Sequence, residues 1–245
     1  MSKNGSQWRE KTLPHDVAAI RKEISAFLNR TDSKNRKIGS AQYGVYAFYD
    51  YDEEPIYVGQ TRERLRARIS RHLTNQRTDA VAMNVLDPFE VAEIEIWPVY
   101  PGRLSKKEIS ILLSATEYSV FQKALTESQL RTVLNEKDIR KAPPVKLPTS
   151  FRGRIIPNSI YEHRKHPDVR IARRASTIAA LAKVISERDV SKGLRRTLLT
   201  QARRLEHLAR KRLDEIAGPI PKEESAEETG ERVATTGKAN DFAQN

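Results

Sequence analysis

The 245-residue sequence contains no cysteine. This excludes a disulfide scaffold, a zinc site with cysteine ligands, an iron–sulfur cluster and a thiol nucleophile. The sequence also lacks any apolar run near the roughly 18–20 residues that a membrane-spanning helix needs. Its first eight residues are polar and contain no apolar signal core, so we expect a cytoplasmic protein with no membrane association.

Acidic residues are fewer than basic ones. The chain has 44 Lys+Arg against 32 Asp+Glu, a formal net charge of +12. A positive excess of this size indicates a polyanionic partner, most often nucleic acid. The simpler alternative is a soluble basic protein without such a partner. The length and an apolar content of 38% are typical of one or two globular domains with a core of modest size.

The charge is distributed unevenly. Residues 1–159 carry a net charge of +7, residues 160–217 carry +8, and residues 218–245 carry −3. The last segment has almost no large apolar residues to bury, so we predict a disordered acidic tail. Residues 141–159 are rich in proline and show no helical or strand period, which predicts an extended arm.

Apolar spacing predicts most of the regular structure. β-branched and aromatic residues around an acidic turn predict a hairpin of strands at 43–49 and 56–59, and alternation predicts a third strand within 89–100. Helices are predicted at 15–30, 62–76, 105–124, 127–134, 168–187 and 191–216, the third of them opened by a Ser105–Glu108 capping box. This order predicts an α+β fold, in which helices flank a small three-stranded antiparallel sheet and a basic helical module follows.

Two tyrosines of the hairpin lie in similar surroundings. The first strand contains Gly44-Val45-Tyr46, and the second contains Tyr57-Val58-Gly59 after a gap of ten residues. Alternation along each strand places both tyrosines on one face and both valines, with Ile56, on the other. A glycine beside each tyrosine leaves space for the backbone of a ligand. Taken alone, the tyrosines would more simply be core aromatic residues.

Charged residues follow on two predicted helices. Arg64, Arg68 and His72 lie in one row at spacings of four. A planar guanidinium can hold two phosphate oxygens, and a histidine can titrate near neutral pH. Glu117 falls on the apolar face of its helix, where a carboxylate needs an arginine or a metal ion as partner. Asn135 comes later, and the end of a helix or a turn is its simpler explanation.

This ordered set resembles the GIY-YIG nuclease superfamily. Its members share a hairpin with paired tyrosines, an arginine often followed four residues on by a histidine, then a glutamate and often an asparagine. The resemblance covers roughly residues 43–136, and both central isoleucines of the motif are valine here. It implies a catalytic set consisting of Tyr46, Tyr57, Arg68, His72 and Glu117.

The resemblance implies a metal-dependent DNA endonuclease. Glu117 would bind Mg²⁺ (or Mn²⁺) together with phosphate oxygens. Tyr46 would orient or deprotonate the attacking water, for which a positive group such as Arg68 must lower its pKa. Tyr57 and His72 would position the phosphate or relay the proton, and Arg68 would stabilise the transition-state charge. Cleavage would leave 5′-phosphate and 3′-hydroxyl ends.

The resemblance also sets the domain interpretation. We divide the chain into an N-terminal helix and loop (1–42), a GIY-YIG-like nuclease core (43–140), a proline-rich arm (141–159), a basic helical DNA-binding module (160–217) and a disordered tail (218–245). This layout favours a restriction-type endonuclease acting on double-stranded DNA. The alternatives are a homing or mobile-element nuclease, a repair nuclease, or a non-catalytic nucleic-acid-binding protein on a nuclease fold.

Nine residues are predicted to contact DNA. They are Arg64, Arg71, Asn135, Arg152, Arg154, Arg173, Arg174, Arg195 and Arg196. The apolar positions of the last two helices, among them Leu181 and Leu208, leave open a dimerisation role for 160–217 instead. A palindromic target would favour such a homodimer.

Overall fold

The structure is a computed structural model that describes residues 14–73, 85–135 and 137–218. The polar first eight residues, the last three residues of the helix predicted at 62–76 and the acidic tail after Gly218 lie outside the described residues. Among the helices of the described ranges, none combines the length and apolarity that a membrane span requires.

The described residues form six α-helices and four β-strands. In chain order these are α1 (His15–Asn29), β1 (Tyr43–Tyr49), β2 (Pro55–Thr61), α2 (Leu65–Leu73), β3 (Glu93–Val99), α3 (Lys106–Glu127), β4 (Phe151–Arg154), α4 (Asn158–Lys165), α5 (Pro167–Glu187) and α6 (Lys192–Ala217). Short 3₁₀ helices cover Ile38–Ser40 and Pro88–Glu90. The α+β class is confirmed, and the predicted capping box at Ser105 opens α3.

The sheet has four strands rather than the predicted three. All pairs are antiparallel, in the order β2-β1-β3-β4. The additional strand comes from the proline-rich arm, where Phe151 pairs with Ile96 and Arg154 pairs with Glu93. Part of the arm therefore belongs to the sheet. A strand of four residues is too short to show a period of its own, which is why the sequence pattern did not reveal it.

The short helix predicted at 127–134 is wrong. The chain leaves helical geometry after α3, and Arg131 has a positive φ of 49°. The N–H of Leu134 then donates to the carbonyl of Ile56 over 2.8 Å. The free edge of β2 thus takes the backbone groups that a local helix would have used.

Helices cover both faces of the sheet. On one face, α3 packs against Val45 and Val58, as the alternation predicted. On the other face, Tyr46 and Phe48 are buried in a core cluster with residues of α1 and α2. Ile56 belongs to this second cluster, so its predicted place beside Val58 is wrong. The pairing register of β1 and β2 shifts here, because Phe48 pairs with Tyr57 and Tyr49 pairs with Pro55. Ile56 is therefore the extra residue of a bulge in β2, and a bulge interrupts the regular alternation of side chains between the two faces.

The last two helices pack against each other and onto the sheet. Leu181 of α5 and Leu194 of α6 belong to the core cluster that contains Tyr46. Leu208 is also buried. Leu181 and Leu208, two of the apolar positions that suggested dimerisation, are therefore buried within one chain.

Three buried arginines attach these helices to the hairpin turn, in a group that we call the arginine cluster: Arg170, Arg174, Arg204, Asp50 and Glu90. Asp50 Oδ2 accepts from Arg174 Nη2 at 2.8 Å and from Arg204 Nη2 at 2.7 Å, and Arg170 Nη2 lies 3.2 Å away. Glu90 accepts from Arg174 Nε at 2.9 Å. Buried guanidinium groups are tolerated when carboxylates pair with them. These contacts contradict the prediction that Arg174 binds DNA, because its guanidinium is buried and engaged.

Candidate active site

The hairpin brings the two motif tyrosines together. Tyr46 pairs across the strands with Gly59, and its ring stacks on that of Tyr57 with centroids 6.2 Å apart. A Cβ on Gly59 would lie 2.6 Å from the Tyr46 hydroxyl. A Cβ on Gly44 would lie 2.9 Å from Leu65 Cδ1. The glycines therefore make room for Tyr46 and Leu65, rather than for a ligand backbone as we predicted.

Helix α2 places a guanidinium and an imidazole at the Tyr46 hydroxyl. Leu65 and Ile69 are fully buried and hold the helix against the sheet. The row beside them then reaches Tyr46, whose hydroxyl accepts from Arg68 Nε at 3.1 Å and lies 3.4 Å from His72 Nε2. The predicted spacing of four residues is thus what lets both side chains meet one hydroxyl.

Glu117 approaches from the other face of the sheet. It lies on α3, one turn before Val120, which packs against the strands. Glu117 is half-buried, and its Oε2 accepts from Gln60 Nε2 at 2.9 Å. Its partner among the described residues is an amide, whereas an internal arginine pair was the alternative. Gln60 therefore holds Glu117 through a neutral group and not through a cationic side chain.

A cleft of about 450 Å³ opens where the edge strand β2 lets groups from both faces meet. Its lining consists of Tyr57, Val58, Gly59, Gln60, Arg68, Ser114, Glu117, Asn135, Lys137, Asp138, Ile139 and Arg140. Three of the predicted catalytic residues line it: Tyr57, Arg68 and Glu117. Tyr46 is completely buried and connects to the cleft through Arg68.

Asn135 is held by the backbone of the edge strand. Its Nδ2 donates to the Val58 carbonyl at 2.7 Å, and its Oδ1 accepts from the Val58 N–H at 3.3 Å. The side chain thus extends the sheet and fixes the segment 137–140 beside the cleft. Holding the edge strand is therefore the observed role of this amide, which keeps a second N–H donor beyond these two hydrogen bonds.

Burial controls the protonation of the two central acids. It raises the pKa of Tyr46, and the nearby Arg68 opposes this rise without cancelling it. The Tyr46 phenol therefore remains protonated at neutral pH, and Arg68 alone does not make it a base. Burial also raises the pKa of Glu117, against the opposing effects of Gln60 and Arg68. A cation beside Glu117 would favour its charged form.

Two of the predicted DNA contacts lie near the cleft at the start of α6. Arg195 and Arg196 are both exposed. Arg196 Nη1 lies 2.8 Å from Asp138, and Nη2 donates to the Asn135 carbonyl at 3.4 Å. The first turn of α6 therefore adjoins the cleft. Arg64, just before α2, is exposed, whereas Arg71 on α2 pairs with Glu63.

The other predicted contacts lie elsewhere. Arg152 and Arg154 are on β4, about 14 Å from β2 at the opposite edge of the sheet. Arg152 Nε donates to Glu93 at 2.6 Å, and Arg154 lies over the ring of Tyr161. Arg173 pairs with Asp87 at 2.7 Å. The structure does not bring these three arginines to the cleft.

Sequence reasoning missed five polar residues of the cleft: Gln60, Ser114, Lys137, Asp138 and Arg140. Gln60 lies one position after the second tyrosine motif, and alternation places it on the same face as Val58, the face against which α3 packs. Lys137, Asp138 and Arg140 belong to a charged segment that follows Asn135. A charged segment directly after a predicted site residue is the signal that would have found these three.

A family model described as the GIY-YIG catalytic domain matches residues 42–112. No curated protein and no solved structure matches the chain. The matched segment contains both tyrosine motifs, Arg68 and His72, and ends before Glu117 and Asn135. The chain thus contains a GIY-YIG catalytic domain and is a DNA endonuclease, a phosphodiester hydrolase.

Proposed function

We propose that this endonuclease cleaves double-stranded DNA with a divalent cation at Glu117, in the manner of a sequence-specific restriction-type enzyme. The observation that carries the proposal is the meeting of Arg68, Tyr57 and Glu117 in one cleft, with Lys137 and Arg140 on its wall. Phosphodiester hydrolysis needs charge neutralisation at the phosphate, an oriented water and proton transfer. The cleft supplies groups for the first two, and the Tyr46–His72 pair behind Arg68 is proposed to supply the third.

The side chains of the cleft fit Mg²⁺ or Mn²⁺. Protein sites for Mg²⁺ use one or two carboxylates, and the substrate phosphates and waters complete the coordination. One carboxylate oxygen of Glu117 accepts a hydrogen bond from Gln60, and the second oxygen would bind the cation. Within the described ranges no group of three acidic or histidine side chains could hold a metal alone, which suits a cation that binds together with DNA. The bound cation would neutralise phosphate charge and acidify water.

Arg68 is suited to the phosphate itself. Its Nε is committed to the Tyr46 hydroxyl, and the terminal nitrogens of the same planar group are donors that suit phosphate oxygens. Tyr46 fixes the guanidinium before the substrate arrives. We assign Arg68 to stabilising the negative charge that develops in the transition state.

Tyr46 and His72 form the proton-transfer pair of this proposal. The buried phenol is protonated, and His72 Nε2 lies 3.4 Å from its oxygen. A neutral imidazole can accept that proton while Arg68 stabilises the phenolate. Tyr57 stacks on Tyr46 at the cleft wall, where its role is to position the phosphate.

The DNA backbone is proposed to run from the cleft across the start of α6. Lys137 and Arg140 line the cleft, and Arg195 and Arg196 continue the positive surface beyond its rim. Such contacts attract the phosphate backbone without reading sequence. A homodimeric state and a cytoplasmic location stay predictions from the sequence.

Plasmid cleavage tests the proposal. Purified protein is incubated with supercoiled plasmid and Mg²⁺, Mn²⁺ or EDTA, and the product ends are sequenced. We expect discrete ends with either cation and intact plasmid in EDTA. The matched control for a Glu117→Gln variant is Glu127→Gln on the same helix, which should cleave normally. Cleavage in EDTA would overturn the metal assignment, and a smear of ends would overturn the restriction role.

A further inference from the structure

Gln60 connects the motif strand to the catalytic carboxylate. It directly follows Tyr57-Val58-Gly59, and it shares the strand face of Val58, against which α3 packs. Its Nε2 donates to Glu117 Oε2 at 2.9 Å across 57 positions of sequence. The two residues thus join β2 to α3 at the wall of the cleft.

The chemistry of this contact fixes how Gln60 is oriented. An ionised carboxylate only accepts hydrogen bonds, so the amide must present its nitrogen to Glu117. The amide oxygen Oε1 then points away from Glu117 Oε2. Among the described residues this buried oxygen has no hydrogen-bond partner. Gln60 therefore offers one donor that is used and one acceptor that is not.

We propose that Gln60 is a positioning residue of this endonuclease, an inference that rests on the proposed function. By occupying Oε2 of Glu117, the Gln60 amide turns the other carboxylate oxygen toward the cation site and holds the rotamer. Partners that orient a metal ligand commonly change metal affinity or activity by about 10–100-fold when they are removed. The amide is neutral, so it positions Glu117 without cancelling the charge that the cation needs.

Two substitutions test the donor of Gln60 without adding a fixed charge beside Glu117. Gln60→Leu removes the donor and the acceptor, and Gln60→His keeps a neutral N–H donor. Gln122→Leu on the exposed face of α3 is the matched control. Each full-length variant is assayed for plasmid cleavage with Mn²⁺, for Mn²⁺ binding by calorimetry in the presence of a short DNA duplex, and for thermal unfolding.

The expected result is a roughly 10–100-fold loss of cleavage and weaker Mn²⁺ binding for Gln60→Leu, with Gln60→His keeping more of both, on the scale cited for such partners. Gln60→Leu at wild-type rate and affinity would overturn the inference. So would equal losses in the His and Leu variants, since the donor would then not matter. If Gln60→Leu fails to fold, the comparison of Gln60→Met, an unbranched apolar match, with Gln60→His decides.

The inference and the proposed function fail differently. If wild-type protein cleaves no DNA with Mn²⁺, or if Glu117→Gln cleaves normally, the proposed metal-dependent function fails. If Glu117→Gln is inactive while all Gln60 variants cleave as wild type does, the proposed function stands and only the role of Gln60 is overturned.

Discussion

The two ends of one hairpin carry arginine and carboxylate side chains in opposite arrangements. At the turn, the Asp50 carboxylate is surrounded by the buried guanidinium groups of the arginine cluster. At the cleft, the nearest hydrogen-bond partners of Arg68 and Glu117 are neutral: the Tyr46 hydroxyl and the Gln60 amide. Charges that hold the fold together are paired with one another. Charges that act on a substrate are positioned by neutral groups and stay available to it.

A large loss of activity is expected at Tyr46. Tyr46→Phe removes the hydroxyl that Arg68 and His72 share and should lower kcat by about 10²–10⁴-fold, the usual cost of losing a positioned acid–base group. The control is Tyr49→Phe on the same strand, whose hydroxyl donates to Glu95 at 2.7 Å on the opposite face. That variant should lose stability, about 1.5–3 kcal/mol, and keep its turnover. Plasmid cleavage measures the activity of the two variants, and urea unfolding measures their stability. Equal, mild losses of activity would mean that Tyr46 is only a core aromatic residue.

A stability effect without a catalytic one is expected in the arginine cluster. Arg204→Met removes one of the guanidinium groups that pair with the buried Asp50 carboxylate, and breaking a buried ion pair typically costs about 3–5 kcal/mol. Exposed Arg203 beside it is the control, for which a change to Met should stay within about 0.5 kcal/mol. Urea unfolding measures the difference. Equal stabilities of the two variants would show that the cluster does not hold the helices.

A smaller effect is expected where α6 adjoins the cleft. The Arg195→Ala/Arg196→Ala double variant should weaken DNA binding and reduce the slope of log affinity against log salt by about 2, since each phosphate contact contributes about 0.9. The control is the Arg203→Ala/Arg210→Ala variant, which removes the same charge farther along the helix. Binding isotherms between 50 and 200 mM salt, the range in which such slopes are usually measured, give both values. An unchanged slope in the first variant would exclude this surface.

The smallest effect is expected for the acidic tail. Removing residues 219–245 takes away a net negative segment with little to bury, so folding and cleavage should be unchanged. Thermal unfolding and plasmid cleavage of the shortened chain measure this. A lower melting temperature would show that the tail packs on the folded protein.

Elements that depend on residues close together in the sequence were predicted correctly. The period of α1, the capping box at Ser105 and the alternation of β1 all correspond to elements of the structure. Arg68 and His72 both reach the Tyr46 hydroxyl, because a spacing of four residues puts two side chains on the same face of a helix. By contrast, β4 is formed by pairing with β3, and its four residues contain no signal of that pairing.

Long-range pairing decided which arginines stay exposed. Arg174 and Arg196 both lie on basic helices, and the sequence gives no reason to separate them. Asp50 lies 124 positions before Arg174, and only the folded chain brings the two together. The hydrogen bond between Gln60 and Glu117 was likewise hidden, because nothing in the sequence near Gln60 marks a partner 57 positions later.

Neutralising one carboxylate at each end of the hairpin tests the central claim most directly. Glu117→Gln and Asp50→Asn are matched changes of shape and charge, measured by plasmid cleavage per folded molecule and by urea unfolding. The account predicts that Glu117→Gln abolishes cleavage, keeps DNA binding and unfolds as wild type does, whereas Asp50→Asn loses about 3–5 kcal/mol of stability and cleaves normally while folded. A Glu117→Gln protein that cleaves near the wild-type rate, or an Asp50→Asn protein of full stability, would contradict it.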